Sequence, residues 1–332
     1  MMAKGLGGKT KALKAALGAA LLSATILSGA AGISAAQAAD HAVAAGSEVG
    51  AYFPVAGALK LLLANDKNAG QTRLTPVATA GAVENLEGLR AKRFDFAVVQ
   101  ADQLFDAFQG RGAFAAAGPA TELRTVLALH GESLALLVRP GVKIKGLEDL
   151  AGKKVDLGPE GSGVRAVAEA LTAGLPKGGV KPTALAMGET AAALCAKKAD
   201  AAFVMVGHPS AVLLDGLTRC KNKLAPVAGP AVESLLLANP ALAAVDMPAK
   251  IYPGVAKPVP TIGTRAVLVT RADVDSAAVG AVVDAARSNF DVLRLLHPAL
   301  YSLTDVASLR PKSGAVPLHG AAERAFDASA AR

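Results

Sequence analysis

Three short glycine-containing segments hold the residues best suited to ligand chemistry in this chain. They are residues 46–50, 79–81 and 158–163, and each lies between a strand pattern and a helix pattern. Loops of this kind present unpaired backbone N–H groups at the start of a helix, where an anion is stabilised, and glycine lets a ligand approach the backbone closely. The first two, including Gly81, belong to one run of strands and helices, and the third belongs to a second run. The sequence therefore predicts a cleft that binds a small anionic molecule.

The same loops do not indicate a nucleotide site or a catalytic site. The third loop reads Gly158-Pro159-Glu160-Gly161-Ser162-Gly163, which lacks the Gly-x-Gly-x-x-Gly spacing, and no Gly-x4-Gly-Lys-Ser/Thr motif occurs. Ser162 is not at the centre of a Gly-x-Ser-x-Gly motif, so we interpret it as a helix cap or a ligand contact rather than a nucleophile. His208 precedes a proline and is interpreted as a loop residue. We expect no enzyme activity, no cofactor and no metal site.

The first 38 residues have the organisation of a secretory signal. Lys4, Lys9, Lys11 and Lys14 precede an apolar stretch over residues 15–33, and Ala36-Gln37-Ala38 has the small residues of a cleavage site. We predict cleavage after Ala38 and a periplasmic location, with retention as a membrane anchor as the alternative. The four charges of this segment are lysines, so its removal lowers the net charge from +8 to +4 and weakens the case for a nucleic-acid partner.

The composition points to a folded, soluble mature chain. Of the 332 residues, 52% are hydrophobic and 19% are charged, which is too hydrophobic for a disordered protein. Aromatic residues make up 4%, and no cluster of Lys and Arg alternates with them as single-stranded nucleic acid would require. We expect no nucleic-acid partner and a monomer.

The order of strand and helix patterns predicts two α/β lobes. Strand patterns at residues 41–45, 72–78 and 94–99 alternate with helices, and the alternation resumes with strands at 154–157 and 201–206. Two longer apolar segments, 125–138 and 261–270, are interpreted as strands that cross between the lobes, with bends near 131–133 and 262–264. A continuous helical spacing is seen over 273–297. We assign residues 39–132 plus 264–332 to lobe I and 133–263 to lobe II, with the ligand in the cleft.

Cys195 and Cys220 are the two cysteines of the chain. An even number in an exported protein favours a disulfide over a metal site or a nucleophile. Two separate buried thiols are the alternative.

Taken together, the motifs resemble the TAXI solute-binding receptors of tripartite ATP-independent periplasmic (TRAP) transporters. The resemblance covers residues 44–326. The motifs that carry it, in chain order, are Gly50-Ala51-Tyr52-Phe53-Pro54, Gly81-Ala82-Val83-Glu84-Asn85-Leu86, Val99-Gln100-Ala101-Asp102, Leu150-Ala151-Gly152-Lys153-Lys154-Val155 with the loop 158–163, Asp200-Ala201-Ala202-Phe203 with Val206-Gly207-His208-Pro209, Tyr252-Pro253-Gly254, and Pro317-Leu318-His319-Gly320-Ala321.

The resemblance implies a two-lobed periplasmic-binding-protein fold that closes around a small carboxylate, such as glutamate, glutamine or a related dicarboxylate, and delivers it to TRAP membrane subunits. It also implies a cysteine on either side of the Gly-His-Pro loop, which Cys195 and Cys220 provide. The ligand-facing positions that it implies are Tyr52, Asn85, Gln100, Ser162, Gly163 and His208.

Two departures from the family pattern bear on the ligand. Ala82 stands where a hydroxyl is usual, and Glu48 places a negative charge in the first loop. Because Glu48 would attract an ammonium group and repel a second carboxylate, we expect an amino acid rather than a plain dicarboxylate. A solvent-facing Glu48 is the alternative. A sensory or scaffold protein that signals to a membrane partner needs the same two-lobed receptor, so it is the second functional hypothesis.

Overall fold

The structure is a computed structural model that describes residues 40–176, 178–312, 314 and 316–330. The predicted signal segment, residues 1–38, lies outside the described residues. The strands are β1 (Asp40–Ala44), β2 (Arg73–Val77), β3 (Phe96–Gln100), β4 (Leu123–Val138), β5 (Lys154–Asp156), β6 (Lys181–Thr183), β7 (Ala201–Gly207), β8 (Lys223–Ala225), β9 (Ala243–Met247) and β10 (Val259–Arg271). The α-helices are α1 (Tyr52–Asn65), α2 (Ala82–Arg90), α3 (Ala101–Gln109), α4 (Gly163–Thr172), α5 (Thr190–Cys195), α6 (Ala211–Arg219), α7 (Pro230–Ala238), α8 (Ser276–Ser288), α9 (Phe290–Leu295) and α10 (Gly320–Ala330).

The strands form a continuous mixed sheet in the order β2-β1-β3-β10-β4-β7-β5-β6, with β8 paired to β4 and β9 paired to β10. The pairs β1 with β2, β1 with β3, β5 with β6 and β5 with β7 are parallel. Two parallel groups therefore flank the antiparallel pair of β4 and β10. Within each parallel group a helix connects each strand to the next one in the chain, as expected for α/β units.

The two long strands run through both halves of the sheet. The first part of β4 pairs with the last part of β10, while its second part pairs with β7 and β8. The first part of β10 pairs in turn with β9. Gly263 lies opposite Ser133 and Thr264 opposite Glu132 near the middle of both strands. The predicted crossing strands are present, and both halves are joined by hydrogen-bonded backbone.

Apolar side chains cover both faces of each half. Phe96 and Val98 of β3 belong to one buried cluster, whereas Ala97 and Val99 belong to another, because alternate residues of a strand point to opposite faces. The first cluster is completed by α1, α8 and α10, and the second by α2 and α3. The other half repeats this arrangement, with α4 and α7 on one face and α5 and α6 on the other. Each half therefore has a helix-covered core on both sides of its sheet.

One predicted element is divided in the structure. The helical spacing over residues 273–297 becomes α8 and α9, separated by Asn289, whose φ and ψ are −117° and 33°. The Asn289 amide donates to the carbonyl of Ala285 at 2.9 Å, a local side-chain bond that competes with helix continuation. The apolar periodicity persists across the break because both helices pack on the same core. Among the described residues, no helix combines the length and apolar character needed to cross a bilayer.

The predicted disulfide is confirmed. Cys195 ends α5 and Cys220 follows α6, and their Cα atoms are 5.6 Å apart. The bond therefore ties together two helices that cover the same face of the sheet. The strand between them, β7, leads to residue His208.

Replacement of both cysteines by serine should lower the free energy of unfolding by about 3 kcal/mol, because the unfolded chain regains the entropy of a loop closed across a sequence separation of 25. Urea unfolding of Cys195→Ser/Cys220→Ser measures the loss, and the wild-type protein treated with a reductant is the control. Equal stability of the oxidised and reduced proteins, or alkylation of both thiols without prior reduction, would contradict the bond.

Candidate functional site

A cavity lies where the carboxyl ends of parallel strands from both halves meet. The loops after β1 and β2 and the end of β3 form one wall, and the loops after β5 and β6 and the end of β7 form the other. The residues that line it are Gly46, Ser47, Gly50, Ala51, Tyr52, Ala80, Gly81, Ala82, Gln100, Glu132, Ser162, Gly163, Val164, Met187, Met205 and Val206. This is the position at which open α/β sheets bind their ligands.

The loops of the two halves touch across this cavity. Gly81 has a φ of +142°, and a Cβ atom there would lie 3.2 Å from Cα of Ser162, so the contact requires glycine. The backbone N–H of Glu84, in the first turn of α2, donates to the carbonyl of Gly161 at 3.0 Å. A carbonyl of one half therefore occupies the helix N-terminus of the other.

Gln100 and the start of α4 form the second point of contact. A Cβ atom on Gly163 would collide with Oε1 of Gln100, so this glycine lets the amide lie against the helix N-terminus. Gln100 is 4% exposed, and its Nε2 has no hydrogen-bond partner among the described residues. A buried donor without a partner favours occupation of the adjoining space by an acceptor.

Glu132 is the carboxylate of the cavity wall. It is 6% exposed, accepts a hydrogen bond of 2.8 Å from the Tyr52 hydroxyl, and has Oε1 3.5 Å from Nε2 of His130. Burial of the hydroxyl is the main cause that raises the pKa of Tyr52 well above its usual value, and the charge of Glu132 is the second cause. Tyr52 is therefore a hydrogen-bond donor that positions the carboxylate. Their bond joins the first turn of α1 to β4.

A second buried acid lies just behind the wall. Asp102, in the first turn of α3, is fully buried, and burial raises its pKa from 3.8 to about 6, with the charge of Glu132 acting in the same direction. Its Oδ2 accepts from Nε2 of Gln103 at 2.9 Å, whereas its Oδ1 has no hydrogen-bond partner among the described residues. Two carboxyl groups therefore give this region of the protein a negative character.

Five of the sequence-predicted ligand residues line the cavity: Tyr52, Gly81, Gln100, Ser162 and Gly163. The Ser162 hydroxyl donates to the carbonyl of Pro159 at 2.6 Å and accepts from the N–H of Arg165 at 3.3 Å, so it caps α4. Its side chain is thus already engaged. Ser162 contributes the shape of the loop and the start of the helix to the cavity.

Asn85 lies behind the loops and is fully buried. Its amide nitrogen donates to the carbonyls of Ala44 and Val98 at 3.3 and 2.8 Å, and its oxygen accepts from the Thr79 hydroxyl at 2.5 Å. Asn85 therefore ties the ends of β1 and β3 to the second loop. The structure places it as a positioning residue for the first wall.

Glu48 is exposed in the turn after β1 and lies outside the cavity lining. Its position corresponds to the solvent-facing alternative. A ligand contact at Glu48 stays a prediction, which Glu48→Gln tests. The carboxylate that the structure brings to the wall is Glu132.

His208 also lies outside the cavity lining. Its Nε2 is 2.7 Å from Oγ of Ser133 and its Nδ1 is 2.7 Å from the Tyr252 hydroxyl, which also accepts from the N–H of Ser210 at 2.7 Å. Burial lowers the pKa of His208. A serine and a histidine are paired here, but Ser133 is buried and the third group is a phenol rather than a carboxylate, so the arrangement does not form a hydrolytic triad. The network joins β4 to the loop that contains Tyr252.

Sequence reasoning missed Glu132, Met187 and Met205 as cavity residues. Glu132 belongs to the polar break at residues 130–133, which was interpreted as a bend in a crossing strand. A lone acid inside an otherwise apolar strand was the available signal, since a buried carboxylate requires a partner. The methionines carried no comparable signal. Among the described residues, no group of three or more His, Cys, Asp or Glu side chains could hold a metal ion.

Asp102→Asn should change how stability depends on pH. Because the folded pKa of about 6 lies above the ordinary 3.8, the folded state holds this proton more tightly, and wild-type stability falls as the pH rises through that interval. The variant has no charge to bury at this position. The difference in free energy of unfolding, variant minus wild type, should therefore increase by on the order of 1–3 kcal/mol from about pH 4 to about pH 8. Urea unfolding at both values measures this, with the exposed Asp246→Asn as control. A constant difference between wild type and Asp102→Asn would contradict the assignment.

Tyr252→Phe should destabilise the protein by about 1–3 kcal/mol, because it leaves the half-buried N–H of Ser210 and Nδ1 of His208 without their partner. The same change at Tyr301, whose side chain is 54% exposed, is the matched control. Denaturant midpoints of the two variants measure the difference. Equal midpoints would show that the His208 network contributes nothing to stability.

Comparison with known proteins identifies a family and solved structures that resemble this chain. Residues 43–328 match the model of the NMT1-like family. A solved structure of a protein from Bordetella bronchiseptica RB50 is 20% identical, covers 87% of this chain and 89% of that chain, and has a TM-score of 0.50. A candidate L-cystine ABC transporter from Listeria monocytogenes is 13% identical, covers 79% of this chain and 96% of that chain, and also has a TM-score of 0.50. At these identities the likeness is one of fold, and it confirms the predicted two-lobed α/β class. The family match extends over nearly all of the described residues, and the chain belongs to the NMT1-like family.

Proposed function

We propose that the mature chain is an extracytoplasmic solute-binding receptor that captures a small amino acid or carboxylate between its lobes and delivers it to the membrane subunits of an importer. The observation that carries the proposal is the cavity at the carboxyl ends of the parallel strands, with walls from both halves of the sheet. A molecule held there contacts both halves at once. Capture by closure of two lobes is the function that this geometry supports best.

The proposed lobes are residues 39–132 plus 264–332 and residues 133–263. This division agrees with the position of the crossing point, where Glu132 and Ser133 face Thr264 and Gly263. The proposed direct ligand contacts are the five cavity-lining residues given above, together with Glu132. Asn85 and His208 are proposed to position the two walls.

The motif series that resembles the TAXI receptors supports TRAP-type membrane subunits as the partner. The Listeria monocytogenes protein is described as part of an ABC transporter, so ABC-type subunits are the alternative. Copurification of the mature protein with each type of membrane subunit, encoded near its own gene, separates them. The proposed periplasmic location rests on the amino-terminal signal pattern, and amino-terminal sequencing of the exported protein tests cleavage after Ala38.

A ligand-binding sensory or scaffold protein is the second candidate. It would use the same cavity, and the difference lies in the membrane partner. An enzyme is disfavoured because the Ser133 and His208 pair lies outside the cavity lining and the Ser162 hydroxyl caps a helix. Turnover of a bound metabolite by the pure protein would contradict this view.

Binding of a solute should reduce the radius of gyration of the mature protein. The chain crosses the proposed hinge in β4 and β10, and bending of these two strands lets the lobes close. Mass spectrometry of protein purified from the periplasm identifies any copurified solute, and solution scattering is then recorded with that compound and with L-glutamine, L-glutamate and 2-oxoglutarate. A radius unchanged at saturation contradicts closure. If no compound copurifies and none binds, the receptor function itself is wrong.

A further inference from the structure

The charges around the cavity restrict the chemistry of its ligand. Among the described residues that line the cavity, Glu132 is an acidic residue and none is Lys or Arg. Asp102 adds a second carboxyl group close enough for its charge to act on Tyr52 and for Glu132 to act on it. A second ligand carboxylate would thus meet negative groups with no Lys or Arg in the lining, and His130, with Nε2 3.5 Å from Oε1 of Glu132, lies against that carboxylate outside the lining. A dianion is poorly matched to this cavity, whereas an ammonium group is well matched.

Hydrogen-bond donors converge on a different part of the same cavity. Nε2 of Gln100 is buried without a partner among the described residues. The Gln100 amide lies beside the start of α4, with its Oε1 against Gly163, and Gln100, Gly163 and Val164 all line the cavity. The N–H groups of a first helical turn have no intrahelical acceptor and stabilise a negative charge. These donors form a place for one carboxylate, and the helix macrodipole replaces the missing cation.

The remaining wall is apolar. Met187, Met205 and Val206 line the cavity on the side of the second half of the sheet. The thioether side chains of methionine adapt to ligands of different shape. This wall therefore accepts an aliphatic or amide side chain, and it offers no partner for a charged one.

Building on the proposed function, we propose that the cavity binds an α-amino acid zwitterion with an uncharged side chain. Glu132, held by the Tyr52 hydroxyl, accepts hydrogen bonds from the ligand ammonium. Gln100 and the N-terminus of α4 donate to the ligand carboxylate. Glutamine and methionine fit this description, whereas glutamate, succinate and 2-oxoglutarate do not.

The first test compares ligand pairs on the wild-type protein, freed of copurified solute by dialysis. Calorimetry is carried out with L-glutamine and L-methionine, and with glutaramate and 4-(methylthio)butanoate, which lack only the α-amino group. L-Glutamate and glutarate complete the set. We expect at least one uncharged L-amino acid to bind, and its des-amino analogue to bind about 10- to 100-fold more weakly, since a hydrogen bond to a charged group is lost. Equal or tighter binding of the des-amino compound, of glutamate or of glutarate overturns the proposal.

The second test locates the preference at Glu132. Glu132→Gln keeps the shape of the side chain and an oxygen for the Tyr52 hydroxyl but removes the negative charge. The preference for the amino acid over its des-amino analogue should fall by about 10- to 100-fold. Glu87→Gln, an identical change at an exposed position of α2, should leave the preference at its wild-type value. An unchanged preference in a folded Glu132→Gln protein overturns the assignment.

The two tests separate this proposal from the receptor function. If a dicarboxylate or another anion binds and the lobes close, the receptor function stands and the zwitterion proposal fails. If none of the six compounds binds, the zwitterion proposal fails. If in addition no solute copurifies, the receptor function fails with it. The ligand-pair comparison does not depend on any variant, so a misfolded Glu132→Gln protein leaves the first test decisive.

Discussion

The antiparallel pairing of β4 with β10 is the constraint on which the rest of this structure depends. Each of these strands runs through both halves of the sheet, and Glu132 lies opposite Thr264 where the strands pass from one half to the other. Every other strand joins one side or the other of this pair. Because successive residues of a strand alternate between faces, the register of this pairing also decides that Glu132 points to the cavity. The position of the carboxylate is therefore set by the backbone pairing of the central strands.

The cavity combines that central carboxylate with groups supplied by the two flanking parallel sheets. Tyr52 comes from the first turn of α1, Gln100 from the end of β3, and Gly163 from the first turn of α4. None of these residues is close to another in the chain. Their meeting requires small residues at the points of contact, which explains Gly81 against Ser162 and Gly163 against Gln100. A cavity of this kind is a consequence of sheet order rather than of a local motif.

Local patterns predicted the strands, the crossing segments and the glycine loops, because strand and helix periodicity is contained in short windows of sequence. Tyr52, Gln100 and Gly163, each at the end of a strand or the start of a helix, came as ligand-facing positions from the family resemblance rather than from these patterns. The same windows could not separate Asn85, which ties strand ends together, from a ligand contact. They could not assign Glu132, since a polar break predicts a bend as readily as a buried acid. The break at Asn289 was hidden because α8 and α9 share one core. Contacts between segments distant in the chain could not be predicted from these short windows.

Among the described residues, two of the hydrogen bonds that join the halves of the molecule lie outside both the proposed ligand contacts and the crossing strands. The N–H of Glu84 donates to the carbonyl of Gly161, and the side-chain amide of Asn239 donates to the carbonyl of Asp102, each at 3.0 Å. Both favour the closed arrangement whatever occupies the cleft, and both are satisfied by water when the halves separate. They lower both rate constants of binding, with opposite effects on affinity. By holding the walls together they lengthen the residence time of a captured solute, and by reducing the open population they slow its association. The time for which this protein retains a solute before reaching the membrane is thus set in part by backbone carbonyls that never touch that solute.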